Sequence, residues 1–323
     1  MIVVTGAAGF IGSRILEALS LVHPVADLLA VDHPVPPEKA ANLRLVPGVG
    51  FLTHTEFLGA LEGGSARPSL ILHMGACSST TMTDWEYLRS NNLEYSQRLW
   101  NWSAGNRCRF IYASSAATYG MGESGFDDRA DLQSLRPLNL YGKSKHDFDL
   151  WVRERLTDGS AIPPQWVGLK FFNVFGCGEA HKGRMASMVY HGFHQIRRQG
   201  FVRLFESHRP DYEHGGQLRD FIYIKDVLRV IMELGFKPGI SGLFNLGTGV
   251  ASSFRELVEA VFRAQGLEPR IEYIPMPEDL RGKYQYFTKA EMAKLTAAGV
   301  EFTPIPLAVA VADYVHWLKV QPE

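Results

Sequence analysis

The sequence predicts an α/β fold: a doubly wound parallel sheet with a smaller, discontinuous lobe of mixed α and β structure. Three observations lead to this prediction. Short apolar runs alternate with longer amphipathic stretches over the first half of the 323-residue chain, a glycine-rich turn joins the first run to the first amphipathic stretch, and the second half is less regular. Such alternation is typical of βαβ units, in which helices cover both faces of a parallel sheet.

The first half supplies most of the predicted parallel strands. They are the short apolar runs Ile2–Val4, Leu28–Val31, Leu70–His73, Phe110–Ala113 and Val167–Phe171. Between them, Ile11–Leu21 follows the glycines as a predicted helix. A second helical pattern consists of Trp85, Leu88, Asn92, Tyr95 and Leu99, which recur at the three- and four-residue spacing of one helix face.

The second half has weaker patterns. Phe221–Ile224 and Leu243–Leu246 are predicted strands, with a helix over Asp226–Leu234 between them. The stretch His208–Gln217 is polar and rich in turn-forming residues, so we expect a surface loop there. The remaining segments mix helices, turns and proline-containing loops.

Charge and hydropathy exclude several classes of protein. Lys and Arg total 33 against 34 Asp and Glu, which excludes a strongly basic nucleic-acid-binding chain. No apolar run reaches the roughly 18 residues of a membrane span, and no secretory signal is visible before the first predicted strand. We therefore expect no nucleic-acid or membrane partner. Cys77, Cys108 and Cys177 lie far apart without metal-ligand spacing, which favours a reducing, cytoplasmic location.

The glycine-rich turn, Val4-Thr-Gly6-Ala-Ala-Gly9-Phe-Ile-Gly12, predicts a Rossmann-type dinucleotide site. Gly6 permits the tight turn, Gly9 lets a pyrophosphate approach the backbone, and Gly12 allows the helix to pack closely on the sheet. Asp32 ends the second strand, 20 residues after Gly12, where an acid binds an adenosine ribose. The alternative is a tight turn in an ordinary α/β domain.

The cofactor choice between NAD and NADP stays open at this point. Asp32 favours NAD because its carboxylate repels a 2′-phosphate. Lys39 follows in the same loop and neutralises such a phosphate if the loop folds back; otherwise it is a solvated lysine. We predict a dinucleotide-binding domain of residues 1–171 with about 220–248 and 283–300. The substrate-binding lobe is predicted to comprise about 172–219, 249–282 and 301–323.

A catalytic constellation is predicted from Tyr141, Lys145 and Ser115. Tyr141 and Lys145 are four residues apart, so a helix places them on one face, and an ammonium beside a phenol lowers the phenol pKa from its usual value near ~10. Ser115 follows the strand Phe110–Ala113, at the strand end where open α/β sheets bind ligands. The alternatives are a solvated tyrosine and lysine, and a serine that serves only turn or capping chemistry.

The Gly-x-x-Gly-x-x-Gly spacing resembles that of the extended short-chain dehydrogenase/reductases. Longer strings are similar to those of the ADP-L-glycero-D-manno-heptose 6-epimerases, nucleotide-sugar epimerases of lipopolysaccharide core assembly. These strings include His73-Met-Gly-Ala-Cys-Ser-Ser-Thr-Thr81, Phe172-Asn-Val-Phe-Gly176, His181-Lys-Gly-Arg-Met-Ala-Ser187, Leu218-Arg-Asp-Phe-Ile-Tyr223 and Phe244-Asn-Leu-Gly-Thr-Gly249. The resemblance covers nearly the whole chain.

The resemblance implies inversion of the sixth carbon of the heptose through transient oxidation to a ketone- or aldehyde-level intermediate. It implies tightly held NADP and two acid/base residues, Tyr141 and Lys182. A ligand presented in two orientations needs a proton donor or acceptor near each face, because proton transfer requires hydrogen-bond reach. Without the resemblance, Lys182 is most simply a solvated loop cation. The resemblance also implies a homo-oligomer such as a pentamer.

The family's binding residues carry over by position. Those implied for the cofactor, besides the three glycines, are Phe10, Ile11, Asp32, His33, Lys39, Met74, Gly75, Ala76, Cys77, Ser78, Asn92, Lys145 and Val174. Those implied for the nucleotide-sugar are Asn173, Lys182, Arg184, His191, Phe205, Glu206, Ser207, His208, Arg219 and Tyr284. A guanidinium such as that of Arg219 binds a diphosphate in bidentate fashion; the alternative is a salt bridge with Asp220 or another acid.

Other functions stay open as alternatives. A hexose 4-epimerase acting on a UDP-sugar has the same motifs, whereas a dehydratase needs an Asp-Glu pair where Ala116 and Ala117 follow Ser115. A dinucleotide-sensing module without turnover would not need Ser115, Tyr141 and Lys145 together. No carboxylate cluster or cysteine pattern accompanies the histidines of the 181–194 region, so we expect no metal site.

Overall fold

The computed structural model describes residues 1–278 and 284–321. The strands in chain order are β1 (Ile2–Thr5), β2 (Leu28–Asp32), β3 (Gly50–Thr53), β4 (Leu70–His73), β5 (Arg109–Ser115), β6 (Trp166–Phe171), β7 (Asn173–Phe175), β8 (Val202–Phe205), β9 (Leu218–Tyr223), β10 (Gly242–Leu246), β11 (Ala251–Ser253) and β12 (Ile271–Ile274). The α-helices are α1 (Phe10–Ser20), α2 (Pro37–Leu43), α3 (His54–Glu62), α4 (Trp85–Leu88), α5 (Tyr95–Gly105), α6 (Leu140–Arg155), α7 (Met188–Gln199), α8 (Ile224–Phe236), α9 (Phe254–Ala264), α10 (Ala293–Ala297) and α11 (Leu307–Val320).

The main sheet has the predicted doubly wound topology. Within the described ranges it contains seven strands in the order β10-β6-β5-β4-β1-β2-β3, and every neighbouring pair is parallel. The chain reverses its direction of travel across the sheet between β1 and β4. Open α/β sheets bind their ligands at such a switch point, outside the carboxyl ends of the strands.

Helices cover both faces of this sheet, which is why its central strands are continuously apolar. Val3 and Val4 of β1 are both fully buried, yet they belong to different hydrophobic clusters. Successive side chains of a strand point to opposite faces, so each cluster fills one side. Val4 packs with Ile15 of α1, whereas Val3 packs with Phe57 of α3 and Trp100 of α5. The predicted fold class is confirmed.

Several elements escaped the sequence prediction. β3 lies at the sheet edge, where Gly50 and Phe51 are exposed, so it has no continuous apolar run. Its companion α3 begins with a capping box formed by Thr53 and Glu56. The helix predicted from Trp85 to Leu99 exists, but a π-helical turn at Arg89–Glu94 divides it.

The smaller lobe is built from short sheets and packed helices. β9 lies between β7 and β11 in one small sheet, and β8 pairs with β12 in another. β9 begins at Leu218, earlier than the predicted strand, and Ile224 already belongs to α8. Helices α7, α9 and α11 pack against one another. The stretch His208–Gln217 contains turns and bends, as predicted.

The domain limits given above stay a prediction. Residues 279–283 and 322–323, which fall at their edges, lie outside the described residues. In the described parts of the chain, no helix has the length and apolar character needed to cross a bilayer.

Candidate active site

A cavity of about 550 Å³ opens at the carboxyl ends of the central strands. This volume lies within the range of about 300–1,000 Å³ that is typical of small-molecule sites. The predicted site residues that line it are Gly6, Gly9, Phe10, Ile11, Gly12, Asp32, His33, Lys39, Met74, Gly75, Ala76, Cys77, Ser78, Ser115, Tyr141, Lys145, Val174 and Lys182. Residues from β1, β2, β5 and β6 and from the segment that follows β4 therefore meet here, at the switch point of the sheet.

The glycine loop is shaped by close backbone contacts. Gly6 has a positive φ of 66°, and a Cβ at this position would lie 2.7 Å from the backbone of Gly75. A Cβ at Gly12 would lie 2.1 Å from the carbonyl oxygen of Gly6. Gly9 is the N-cap of α1, and no described side chain caps that helix end. The first N–H groups of α1 are thus available to an anion, as a pyrophosphate requires.

Asp32 holds the glycine loop to the second strand. Its Oδ2 accepts the Ala8 N–H at 2.9 Å and its Oδ1 accepts the His33 N–H at 2.8 Å. A carboxylate has about four lone-pair sites, so two remain for a ribose hydroxyl. The residues of the loop therefore fit a dinucleotide.

Basic residues gather at the Asp32 end of the cavity. Lys39, His33, His54 and His181 all line it, and the His33 and His54 rings are 4.0 Å apart. Burial is the largest influence on both His54 and His181 and lowers their pKa values, and the Lys39 charge lowers that of His181 further. The sequence prediction missed His54 because the preceding strand β3 was missed, and it weighed His181 only as a metal ligand.

Asn92 lies behind the cavity wall and not in its lining. It is buried, its Oδ1 accepts the Cys77 N–H at 2.8 Å, and its Nδ2 donates to the Cys77 carbonyl at 3.0 Å and to Ser144 Oγ at 3.0 Å. Asn92 thus fixes the Met74–Ser78 segment against α6. Its neighbour Asn91 lines the cavity, and its Oδ1 accepts from His33 Nε2 at 2.7 Å.

Tyr141 and Lys145 reach the cavity from the first turns of α6. Asn139 begins this helix by accepting the Gly142 N–H at 2.8 Å. Ser115 ends β5, and its Oγ accepts the Ala117 N–H at 3.1 Å. The serine therefore also serves the capping role that was its alternative interpretation. The three predicted side chains line one cavity.

The sequence predicted a lowered pKa for Tyr141, but the surroundings of this residue in the structure shift its pKa in the opposite direction. Burial raises the pKa of Tyr141, and a side-chain hydrogen bond with Ser115 lowers it only in part. Burial also lowers the pKa of Lys145 to about 8, with Asp149 opposing the shift. The sequence argument considered only the attraction between phenolate and ammonium. It omitted the cost of removing both charges from water.

Lys182 enters the same cavity from a different part of the chain. It lies in the 3₁₀ segment Ala180–Met185, with its Nζ 5.4 Å from the centre of the Phe10 ring. Burial lowers the pKa of Lys182, and the Glu179 charge opposes this shift. Lys182 is half-buried in the wall of the cavity, whereas a solvated loop cation would be fully exposed.

Most residues predicted to bind the nucleotide-sugar lie outside this cavity lining. Phe205, Arg219 and Tyr284 form a cluster in the smaller lobe: the Arg219 guanidinium is 5.1 Å from the Tyr284 ring centre, and the Phe205 and Tyr284 rings are 6.3 Å apart. Arg219 is buried and donates to the carbonyl oxygens of Leu218 and Gln285.

The remaining predicted substrate residues are distributed around the same lobe. The Asp220 carboxylate accepts from the Thr248 and Ala290 N–H groups. Among the described residues, Arg219 does not form the salt bridge with Asp220 that was its alternative interpretation. The His208 N–H donates to the Tyr286 hydroxyl at 3.0 Å. The other members are exposed or half-buried: Asn173, Arg184, His191, Glu206 and Ser207.

Together, the sheet, the glycine loop and the Tyr141–Lys145 pair define a dinucleotide-dependent enzyme of the extended short-chain dehydrogenase/reductase class. Residues 2–247 match the model of the NAD dependent epimerase/dehydratase family. The chain is 47% identical over 320 residues to the ADP-L-glycero-D-manno-heptose-6-epimerase of Nitratidesulfovibrio vulgaris (strain DP4), covering 98% of this chain and 97% of that protein. It is 42% identical over 328 residues to the Fusobacterium nucleatum protein of the same name, with the same coverage.

Solved structures agree with these relatives. The Helicobacter pylori ADP-L-glycero-D-manno-heptose-6-epimerase superimposes with a TM-score of 0.80 at 26% identity, covering 99% of this chain and 96% of that one. The Thermus thermophilus UDP-glucose 4-epimerase, solved with NAD, has a TM-score of 0.76 at 24% identity, covers 99% of both chains, and is similar in fold. The chain thus belongs to the NAD-dependent epimerase/dehydratase family and, within it, to the ADP-L-glycero-D-manno-heptose-6-epimerases. It is an isomerase, and the resemblance noted in its motifs is confirmed.

Proposed function

We propose that this enzyme inverts the sixth carbon of an ADP-glycero-manno-heptose, with NADP as its tightly bound cofactor, in the supply of heptose for the lipopolysaccharide core. The observation that carries the proposal is the convergence of Tyr141 and Lys182 on one cavity beside the glycine loop. They come from separate elements, so two acid/base groups are available to a sugar that is presented in two orientations.

The cofactor would be held by residues that already line the cavity. The glycine loop and the start of α1 would bind the pyrophosphate, and Asp32 would bind the adenosine ribose. A bound nicotinamide supplies reversible acceptance and return of hydride. Lys39 supports NADP, because its positive charge offsets the repulsion between Asp32 and a 2′-phosphate, and an imidazole N–H of the neighbouring His54 would donate to the phosphate. Asp32 alone favours NAD, which is the alternative.

Tyr141 and Lys145 act as a pair in proton transfer. Burial raises the pKa of Tyr141 and lowers that of Lys145 to about 8, so both groups favour their neutral forms in this site. Tyr141 would take the proton of the sugar hydroxyl as its own phenolic proton passes to the Lys145 amine, and both transfers would reverse when the sugar is reduced. Ser115 donates a hydrogen bond to the sugar oxygen. Lys182 performs the corresponding proton transfer for the second orientation.

The diphosphate would be bound by Arg219 in the smaller lobe. A guanidinium carries five N–H donors, and the two carbonyl contacts leave others for phosphate oxygens. The Tyr284 and Phe205 rings beside it would pack against the nucleoside. By the same resemblance we propose a cytoplasmic homo-oligomer such as a pentamer.

Separate incubations with ADP-heptose and with UDP-galactose test the substrate. We expect epimerisation of the heptose alone, and epimerisation of the hexose alone would overturn the proposal. Mass analysis of the small molecule released from the purified protein tests the cofactor. Recovery of NADP supports the proposal, and recovery of NAD alone would contradict the cofactor preference.

A further inference from the structure

Residues 176–187 form the loop that carries Lys182. The two ends of this loop, which we call its neck, are both bonded to one buried carboxylate. Glu179 is 0% exposed. Its Oε1 accepts from the Gly176 N–H at 3.2 Å and from the Ser187 hydroxyl at 2.6 Å, while its Oε2 accepts from the Ser187 N–H at 2.6 Å. Gly176 and Ser187 are the first and last residues of the loop. A single side chain therefore joins both ends.

Backbone hydrogen bonds fix the short segment between Glu179 and Lys182. The Lys182 N–H donates to the Glu179 carbonyl at 2.9 Å, and the Ala186 N–H donates to the Gly183 carbonyl at 3.0 Å. Gly183 adopts a positive φ of 52°, which reverses the chain just after Lys182. The backbone at Lys182 is thus fixed within one turn of Glu179.

Two further contacts attach the loop to the rest of the molecule. Tyr314 of α11 lies on one side of the neck: burial and then the nearby Glu179 charge raise the pKa of its phenol. On the other side, Asn42 of α2 contacts His181 Nδ1 at 3.2 Å and donates to the Ala8 carbonyl at 3.0 Å. The loop is held between the glycine loop and α11, and Glu179 is the only carboxylate among these described contacts.

The Glu179 carboxylate is fully buried and accepts three hydrogen bonds. Removing its charge from water is unfavourable, and its donors offset that cost only when the geometry is kept. An apolar side chain at the same place would avoid the cost but could not join the two backbone N–H groups. This contrast separates a positioning role from simple filling of the core.

We propose that Glu179 is a positioning residue that holds Lys182 in the active-site cavity by closing the neck of the 176–187 loop. The inference rests on the proposed function, in which Lys182 is the second acid/base group. Glu179 itself does not line the cavity, so its effect on turnover passes through the lysine.

Two measurements on Glu179→Gln test this proposal with the full-length enzyme. Glutamine keeps the size of the side chain but replaces one acceptor oxygen with an NH2 group, which cannot accept from Gly176 or from the Ser187 N–H. We expect hydrogen–deuterium exchange in peptides covering 176–187 to become at least about tenfold faster. We also expect kcat to fall about tenfold or more while KM and bound cofactor change less than about twofold.

Asp226→Asn is the matched control. Asp226 is likewise 0% exposed and accepts from the Ile305 N–H at 2.9 Å and from Arg229 at 2.6 Å, but it lies at the start of α8, outside the cavity lining. We expect this variant to leave kcat and exchange in 176–187 unchanged. If Glu179→Gln does not fold, Ser187→Ala removes one donor to the same carboxylate and is expected to speed exchange in 176–187 with a smaller fall in kcat.

Lys182→Met separates the inference from the function on which it rests. A wild-type rate in Lys182→Met would overturn the proposed role of the lysine, whatever Glu179 does. If Lys182→Met loses most of its turnover but Glu179→Gln keeps its exchange in 176–187 or its kcat, the positioning role of Glu179 is overturned. The role of Lys182 would then still hold. Equal losses in Glu179→Gln and Asp226→Asn would also overturn it, because they would indicate a general effect of losing a buried carboxylate.

Discussion

Tyr141 and Lys145 illustrate how burial alters the chemistry of a residue pair. Spacing alone predicts that the ammonium acidifies the phenol, but burial raises the pKa of Tyr141 and lowers that of Lys145 to about 8. The four-residue spacing correctly predicted that both side chains lie on one face of a helix. The direction of the phenol pKa depends on desolvation by residues elsewhere in the chain, which spacing does not contain.

Tyr141→Phe tests the proposed proton transfer. It removes the hydroxyl while keeping the ring, so we expect turnover to fall by about 10²–10⁴-fold, the usual contribution of a general acid/base. The amount of cofactor in the purified variant should match that of the wild type. Product formation and cofactor content are measured on the same sample. Unchanged turnover would show that another group transfers the proton.

Lys145 makes stability depend on pH. Its pKa of about 8 in the folded chain lies below the ordinary value of 10.5, so between these pH values the unfolded chain binds more protons at this residue. The free energy of unfolding contributed by Lys145 therefore rises as the pH increases from about 8 to 10.5.

Comparison with Lys145→Met isolates this effect. The variant lacks the buried amine, so its stability relative to the wild type should be greatest at pH 7 and should decline as the pH rises through the window. Urea unfolding of both proteins at several pH values measures the difference. A difference that stays constant with pH would contradict the assigned pKa.

At the scale of elements, α1 depends on a close contact with the glycine loop. In Gly12→Ala the new Cβ would meet the Gly6 carbonyl oxygen at 2.1 Å, a backbone atom that cannot turn aside as a flexible side chain would. We expect the helix start to shift, with loss of bound cofactor and a lower free energy of unfolding. Cofactor content and urea unfolding measure the two effects.

Gly59→Ala provides the matched control on α3. Gly59 is an exposed helical residue, and a Cβ there would meet no atom within 4 Å. Alanine in a helix interior is more favourable than glycine by roughly 0.5–1 kcal/mol, so this variant should be slightly stabilised with its cofactor retained. Similar behaviour of the two variants would contradict the packing argument for Gly12.

Elements also differ in how well their sequence identifies them. The central strands β1 and β4 were found because all four residues of each are buried and the first three are apolar. β3 was missed because an edge strand needs only one buried side, and its first two residues are exposed. The π-helical turn at Arg89–Glu94 was not predicted because the apolar periodicity continues across it.

At the scale of the whole molecule, a buried ion pair joins the elements of the active site. Lys170 of β6 donates to Asp149 of α6 at 2.7 Å and to Thr118 Oγ1 at 2.7 Å, and Ser114 of β5 donates to the same Asp149 oxygen at 2.7 Å. Both charged side chains are 0% exposed. Through its bond with Ser114, Asp149 also connects the strand that carries Ser115 with the helix that carries Tyr141.

Lys170→Met tests how much this ion pair contributes to the free energy of unfolding. Removing one partner leaves the other charge buried, which costs about 3–5 kcal/mol, a large part of a typical stability of about 5–15 kcal/mol. Lys225→Met removes a cation from the exposed pair with Asp313, and should cost at most ~1 kcal/mol. Urea unfolding compares the two variants, and equal costs would contradict the proposed role of burial.

The sequence by itself determined the parallel α/β class, the dinucleotide loop and the placement of Tyr141 and Lys145 on one helix face. Each of these depends on patterns within one element or between neighbours in the chain. Only the tertiary structure decided that Lys182 enters the Tyr141 cavity, that Asn92 supports the cavity wall from behind, and that the Tyr141 pKa rises. These outcomes depend on burial and on contacts between residues far apart in sequence, which local periodicity does not record.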